Sequence, residues 1–585
     1  MKETANLPES GSTGTDITPY CAIDRLREAT VAGLAAGVSP LALGMALMDW
    51  SAHLVAAPGK RMELAAKATQ DAADLMARIV ALTARPKTQP TPQDPRFADP
   101  AWRNPPFSIW AHGFLLAQQW WHAATSDVPG VDPHHESLLS ATAQQWLDMV
   151  SPATLPLTNP EVIARSIETG GLSHLVGLRN WFEDMAHLAA RKPPVGAEQF
   201  RPGHEVATTP GKVVFRNHLI ELIQYAPATE TVLAEPVLLV PAWIMKYYVL
   251  DLSPENSLVR HLVQAGHTVF CLSWRNPTAE DRDLTLDDYR NLGIMAAVDA
   301  ISAVLPGQRI HAAGYCLGGT LLAIAAAAMA GARDNRLATV SLLAAQTDFT
   351  EPGDLALFID HDQLHRLESV MWQRGYLTAD QMLGAFRFVR SNDLVWSRMV
   401  RAYLLGEREP MTDIAAWSAD STRMPYRMQG EYLRRLYLEN ALASDRLLAE
   451  GRPVALRNIR APIFAVGTED DYVAPWSSVY RPHCLCDAEL TFVLADRDHL
   501  AGIIHDPAQP GSHYRIATRR RNGTYLYPED WAQAAAIHSG SWWTAWTDWL
   551  AHHSTKKRRA PPDMGAAAAG YPPLGDAPGS YVRQR

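Results

Sequence analysis

The stretch Arg309-Ile310-His311-Ala312-Ala313-Gly314-Tyr315-Cys316-Leu317-Gly318-Gly319-Thr320 runs straight into the small-residue segment Leu321 to Ala330, and it constrains the fold more than any other part of the chain. A short apolar run, then Gly-x-Cys-x-Gly, then an alanine-rich helix reads as a nucleophile elbow: a strand turns sharply into a helix and presents one side chain at the turn. Such a turn is crowded. Gly314 and Gly318, two residues either side of Cys316, keep Cβ atoms out of the approach of helix to strand. The thiol then stands at a helix N-terminus, where unpaired N–H groups and the helix dipole favour a thiolate, and the Leu317 N–H is placed to donate into an oxyanion hole. Taken alone, the pentapeptide also fits a buried structural cysteine, because free cysteine is among the most buried residue types.

The order of the remaining chain separates these readings. Pro462-Ile463-Phe464-Ala465-Val466-Gly467 reads as a buried strand that empties into Thr468-Glu469-Asp470-Asp471-Tyr472-Val473-Ala474-Pro475-Trp476. Leu490 to Ala495 reads as another, ending in Asp496-Arg497-Asp498-His499-Leu500-Ala501-Gly502. Nucleophile, acid and histidine thus follow one another at three strand ends, the order used on α/β-hydrolase sheets. Further apolar runs at 236–241, 267–273, 309–314 and 339–345 alternate with helical stretches, the pattern of a parallel sheet. Between Gln346 and about Arg452 no strand run appears. An insertion at that point, after the strand that follows the elbow helix, predicts a cap over Cys316 that excludes water. The expected fold class is α/β: an α/β-hydrolase catalytic domain over 201–555 with a cap insertion at about 346–452, preceded by a mainly helical N-terminal domain over 21–200.

Within that N-terminal domain a Pro-rich linker is expected near 86–100. Trp102, Phe107, Trp110, Phe114, Trp120 and Trp121 form an aromatic cluster that reads as core. Residues 1–20 read as a flexible arm, with no apolar stretch of a secretory signal. Near the other end Trp542, Trp546 and Trp549 recur at helical spacing, an apolar stripe from which Trp543 falls away. After Thr555 the chain turns to Lys, Arg, Ala, Pro and Gly, and 556–585 reads as a disordered tail. An apolar share of 47% suffices for a large core, and a net charge of −9 argues against a general nucleic-acid binder. No apolar run approaches the length of a membrane-spanning helix. The five cysteines are Cys21, Cys271, Cys316, Cys484 and Cys486, too few and too irregular for a disulfide framework, which fits a reducing cytoplasm. Cys484 and Cys486 beside His483 lack a fourth ligand at metal spacing, so no metal site is expected.

Several longer segments carry a resemblance. They are Thr209 to Asn217, Lys246 to Leu252, Ser273-Trp274-Arg275-Asn276-Pro277, Gly314 to Thr320, Ala345-Gln346-Thr347-Asp348-Phe349, Val395-Trp396, Met424-Pro425, Val473 to Trp476, and His499-Leu500-Ala501-Gly502. With these the chain resembles the single-subunit poly(3-hydroxyalkanoate) synthases, acyltransferases that polymerise (R)-3-hydroxyacyl-CoA into storage polyester, over roughly residues 95 to 550. The resemblance implies that Cys316, Asp471 and His499 are the catalytic residues. Asp471 is preferred to Asp470 because it stands four residues before Pro475-Trp476. Tyr472 replaces a histidine common after that aspartate, and Asp498 replaces a glycine common before the histidine. The resemblance also implies a homodimer, contact with the growing polyester and the surface of a storage granule in the cytoplasm, and no cofactor, CoA being released as product.

The chemistry agrees with a thiol. Thiol and thioester exchange at little cost, and the acyl group stays activated for the next transfer. Cys316 is expected as nucleophile, His499 as the base that activates it, and Asp471 either as the group orienting His499 or as an aid to hydroxyl attack. A second oxyanion donor is expected after the strand 236–241, at the backbone of Trp243, Ile244 or Met245, with Leu317 as the first. The alternatives are a cysteine-type hydrolase or intracellular polyester depolymerase on the same scaffold, and a non-enzymatic granule-associated protein.

Overall fold

The structure is a computed structural model and describes residues 39–84, 94–379, 381, 382, 384 and 395–585. The arm expected at 1–20, Cys21 and the first part of the expected linker lie outside the described residues.

The six apolar runs form the middle of one sheet: β3 (Val237–Val240), β4 (Val269–Trp274), β5 (Ile310–Tyr315), β6 (Leu337–Leu343), β7 (Ile463–Thr468) and β8 (Leu490–Ala495). They lie in the order β8-β7-β6-β5-β3-β4, every neighbouring pair parallel. All their residues are buried, which is why each reads as an unbroken apolar run. Antiparallel strands extend both edges. On one side stand β9 (His513–Arg519) and β10 (Ala536–Ser539); on the other β2 (Ile220–Tyr225), β1 (Gly211–Arg216) and β11 (Gly575–Asp576), making eleven strands. The elbow helix, Leu317–Gly331, leaves β5 and is buried along almost its whole length.

Among the described residues ahead of the sheet come six α-helices: α1 (Pro40–Ala56), α2 (Pro58–Ala84), α3 (Phe107–Thr125), α4 (Pro133–Met149), α5 (Pro160–Glu168) and α6 (Leu172–Ala189). Three of their starts are written in the sequence. Ser39, Asp132 and Asn159 each accept backbone N–H bonds in the first turn, and each is followed by a proline that needs no such partner. The described part of the expected linker is not a linker. Residues 94–103 form two short turns capped by Asp94 and Asp99, and they drive Phe97 and Trp102 fully into the domain core, where Phe107 and Phe114 pack on them. Trp110 and Trp121 of the aromatic cluster stay largely exposed.

The insertion between β6 and β7 carries helices at His361–Arg374 and Tyr426–Tyr432 and lies against both the sheet and the N-terminal helices. His134 Nε2 is 3.0 Å from Asp360, the cap of the first of these helices. On α6, Asn180 donates to the Ala402 carbonyl, while Asp184 accepts from Tyr403 and Arg408. Contact is tightest at Gly177, where a Cβ would lie 1.9 Å from the Tyr403 carbonyl oxygen. Among the described residues no single helix is long and apolar enough to cross a membrane.

Near the end of the chain one tryptophan outside the apolar stripe also joins the core, and one expectation is corrected. Trp543 is as deeply buried as Trp542 and Trp546, because the loop at 502–505 wraps the start of its helix, Trp542–His552, and the Ile503 carbonyl accepts from the Trp543 indole. Residues 556–585 are ordered against the sheet. Arg558–Arg559 pairs with Val232–Leu233, Gly575–Asp576 adds β11 to β1, and Val582 is buried. Composition misses this because the tail's partners are buried polar side chains of β2, far away in sequence. Gln224 donates to the Asp563 carbonyl and accepts from the Gly565 N–H. Glu221, with no exposed surface, accepts from the Ser580 N–H (2.8 Å), the Ser580 hydroxyl (2.7 Å) and the Tyr581 N–H (2.9 Å).

Hydrogen exchange tests this docking. The Ser580 and Tyr581 amides should exchange slowly in the intact chain, and Glu221→Ala, which removes their acceptor, should release them while β5 and the elbow helix stay protected. Fast exchange at 575–585 in the unmodified protein would show a detached tail.

Candidate active site

Cys316 sits at φ 52° and ψ −127°, a conformation that costs a non-glycine residue about 1–3 kcal/mol and persists only where its surroundings enforce it. They do. The Cys316 N–H donates to the Leu343 carbonyl of β6 at 2.8 Å, stitching the turn to the sheet. A Cβ on Gly314 would lie 2.4 Å from Gly319 Cα, and one on Gly318 only 2.1 Å from the Val240 carbonyl oxygen. The elbow helix therefore enters closer to the sheet than any side chain permits.

Asp471 stands three residues beyond the end of β7 and is buried. Its Oδ1 accepts from the Val473 and Ala474 N–H groups at 2.9 and 2.8 Å, and its Oδ2 from the Thr468 hydroxyl at 3.1 Å. The same Oδ2 meets His499 Nδ1 at 2.8 Å. Asp470, by contrast, is exposed.

His499 follows β8 in a loop held from several sides. The Gly502 and Ile503 carbonyls accept from the Trp542 and Trp543 indoles, both at 2.9 Å. Asp498 Oδ1 accepts from the Leu500 and Ala501 N–H groups, so this carboxylate closes the turn after the histidine. The Tyr315 hydroxyl donates to the His499 carbonyl at 3.3 Å and its ring lies beside the imidazole. With Nδ1 held by Asp471, the imidazole also has the Cys316 sulfur as a near electrostatic neighbour. Burial alone would push the imidazole pKa down; the Asp471 carboxylate, then the Cys316 sulfur, reverse this and hold it well above its ordinary value.

Of the expected oxyanion donors, Leu317 and Ile244 line one cavity with Cys316. Leu317 is the first residue of the elbow helix, and its N–H is one of those an α-helix leaves without an intrahelical acceptor. Met245 is not among the lining residues; it pairs with Ser421 of the insertion, whose hydroxyl donates to its sulfur. The loop itself is firmly held, since Thr422 donates to the Trp243 carbonyl through its hydroxyl (2.6 Å) and to the Ile244 carbonyl through its N–H (3.2 Å).

The cavity measures about 1830 Å³ and is roofed by the insertion, with Leu367, Val370, Leu377, Tyr432 and Tyr437 among its walls. The two tyrosine hydroxyls lie 3.3 Å apart. Burial, together with mutual contact and the nearby Cys316 sulfur, raises the Tyr432 pKa well above the usual phenol value. No spacing pattern in the sequence marks these phenols, because the fold of the insertion alone brings them to Cys316. Among the described residues no three His, Cys, Asp or Glu side chains converge on a metal position, and His483 is stacked on Tyr480.

Comparison with known proteins agrees with this architecture. Residues 93–262 match the family model described as the N-terminus of poly-beta-hydroxybutyrate polymerase, residues 18–60 a second N-terminal model of that polymerase, and residues 235–506 the alpha/beta hydrolase fold. Among solved structures, a soluble variant of monoglyceride lipase from Saccharomyces cerevisiae aligns with TM-score 0.34 and 12% identity over 61% of this chain and 99% of its own. The poly(3-hydroxyalkanoate) polymerase of Methylorubrum extorquens is 37% identical over 537 residues, covering 90% of this chain and 87% of its own. The polymerase subunit of Cupriavidus necator is 37% identical over 84% of this chain and 83% of its own, and that of Rhizobium meliloti 35% identical over 84% and 80%. With such identity along most of both lengths, the chain belongs to the poly(3-hydroxyalkanoate) polymerase family.

Proposed function

We propose that this acyltransferase polymerises (R)-3-hydroxyacyl-CoA through a thioester formed on Cys316. The observation that carries the reading is the buried Asp471 bonded to His499 at 2.8 Å, with the Cys316 sulfur acting on the same imidazole and lining a large cavity beneath the insertion. The Cys316 sulfur attacks the thioester carbonyl, the Leu317 and Ile244 N–H groups take the charge that develops on its oxygen, and CoA leaves as the thiol with a proton from His499. Next, the 3-hydroxyl of an incoming unit gives its proton to His499 and attacks the acyl-enzyme. An ester forms, Cys316 is freed, and the lengthened chain reloads from its own CoA thioester. Each cycle exchanges one thioester for one ester and releases one CoA.

Transfer over hydrolysis requires that water be kept from the acyl-enzyme, which the apolar walls Leu367, Val370 and Leu377 favour beside polar ones such as Gln363 and Arg366. A homodimer and attachment to polyester granules in the cytoplasm complete the reading. The exposed face of α6, with Leu172, Leu175, Leu178 and Phe182, supports contact with an apolar surface.

Incubation with 3-hydroxybutyryl-CoA, following CoA release and turbidity together, tests the proposal. Release with turbidity is expected; release with free acid would mark a hydrolase, and no release a non-enzymatic protein. Cys316→Ala should lose activity on the order of 10⁶-fold, the scale seen when a triad nucleophile is removed. Cys316→Ser should retain little, since an alkoxide is harder to form and its ester less activated.

Asp471 has a sharper signature. Both its oxygens are occupied by the backbone, Thr468 and His499, which leaves none for a substrate hydroxyl and supports the orienting role. In Asp471→Asn the amide oxygen keeps the Val473 and Ala474 N–H groups, and the amide NH₂ faces Nδ1. The proton then moves to the nitrogen that should serve Cys316. Both acylation and elongation should fall, on the order of 10⁴-fold. Mass spectrometry of the acyl-enzyme checks this: normal acylation with failed elongation would return Asp471 to hydroxyl attack.

A further inference from the structure

Lys246 is 2% exposed, an ammonium group taken almost wholly out of water. Burial pushes its pKa down to about 8, partly offset by Asp420. A buried cation needs acceptors. It finds them on the segment that follows β11: Lys246 Nζ donates to the Gln584 carbonyl at 2.5 Å and reaches the Tyr581 carbonyl at 3.5 Å. That segment is anchored independently, by Glu221 on the Ser580 and Tyr581 N–H groups and by the Tyr581 hydroxyl on the Asn217 carbonyl at 2.6 Å.

Lys246 lies two residues beyond Ile244, at the end of the loop that leaves β3. The insertion grips this loop by its carbonyls, through Thr422 on Trp243 and Ile244 and through the Trp417 indole on Lys246 at 2.8 Å. The tail grips the same loop by the Lys246 side chain. Asn276 closes the ring: its N–H donates to Gln584 Oε1 at 3.1 Å while its Oδ1 accepts from the Arg423 N–H at 2.9 Å. Loop, insertion and tail thus share one hydrogen-bonded frame beside Cys316, and Arg585 continues into the cavity wall.

We propose that residues 580–584 are a positioning element of the polymerase: through Lys246 they fix the loop that aims the Ile244 N–H at the reacting carbonyl. The inference rests on Ile244 as an oxyanion donor. Donors aimed in advance act only if held, and a displacement of about 1 Å costs about 10²-fold in rate.

Lys246→Met keeps the length of the side chain, removes the buried charge and breaks the link. In the full chain with 3-hydroxybutyryl-CoA, kcat and the single-turnover acylation rate should fall about 10²-fold with KM changed less than about threefold. Alkylation of Cys316 by iodoacetamide, which needs no oxyanion hole, should stay within about twofold. Deleting 577–585 should reproduce the loss, and the double variant should be no worse than the poorer single one, because both cut the same link. Wild-type acylation in Lys246→Met would overturn the proposal, as would a parallel fall in alkylation or multiplicative losses in the double variant. If the deletion fails to fold, Lys246→Met decides alone. Absence of an acyl group on Cys316 of the unmodified enzyme would instead sink the thioester reading.

Discussion

The site depends on how closely the elbow helix approaches the sheet. Gly314, Gly318 and Gly319 meet backbone or Cβ atoms at distances no added side chain tolerates, 2.1–2.4 Å from a built Cβ. That approach settles several things together. It forces Cys316 into its strained turn and presses the first turn of the helix against the end of β3, since Gly318 faces the Val240 and Pro241 carbonyls. The loop after β3 is therefore brought beside Leu317 by packing, before any demand of chemistry. His499 approaches Cys316 from the end of β8, three strands along the sheet from β5, and its loop is held by Tyr315, the residue before the cysteine, and by two tryptophan indoles from the last long helix.

What the sequence discloses follows from which interactions are local. Strands buried on both faces must be apolar throughout, so β3 to β8 are legible as runs, and glycine spacing marks the turn between β5 and its helix. The order of Cys316, Asp471 and His499 is legible for the same reason: each stands just past a strand already recognised. β2 is not, although it is just as buried, because Glu221 and Gln224 interrupt its apolar run. Their burial makes sense only once Ser580, Tyr581, Asp563 and Gly565 are in place. A composition that reads as disordered and a strand that reads as too polar are two halves of one interaction, separated by about 340 residues. Tyr432 and Tyr437 escape a sequence reading likewise, since only the folded insertion turns them toward Cys316. By position after β3 Met245 and Ile244 are indistinguishable; in the fold Ile244 lines the cavity with Cys316, while Met245 pairs with Ser421.

The roof over Cys316 is held at two seams of different character. Against the loop after β3 the contacts are short, buried hydrogen bonds to carbonyls, with Trp417 and Thr422 of the insertion as donors. Against the N-terminal helices they include ion pairs whose partners keep a quarter or more of their surface, as in Arg408 with Glu183 and Asp184. Pairs of that exposure contribute about 0–1 kcal/mol each and weaken with salt, so they cannot by themselves fix the second seam. Its firmness must come from shape. Gly177 lets α6 lie directly on the Tyr403 carbonyl, and Asn180 satisfies the carbonyl next to it. The seam beside the reacting carbonyl is thus the more rigid of the two. Among the described residues the seam over the helical domain relies on close backbone approaches at Gly177 and Gly406 and a surrounding set of weak, salt-sensitive pairs.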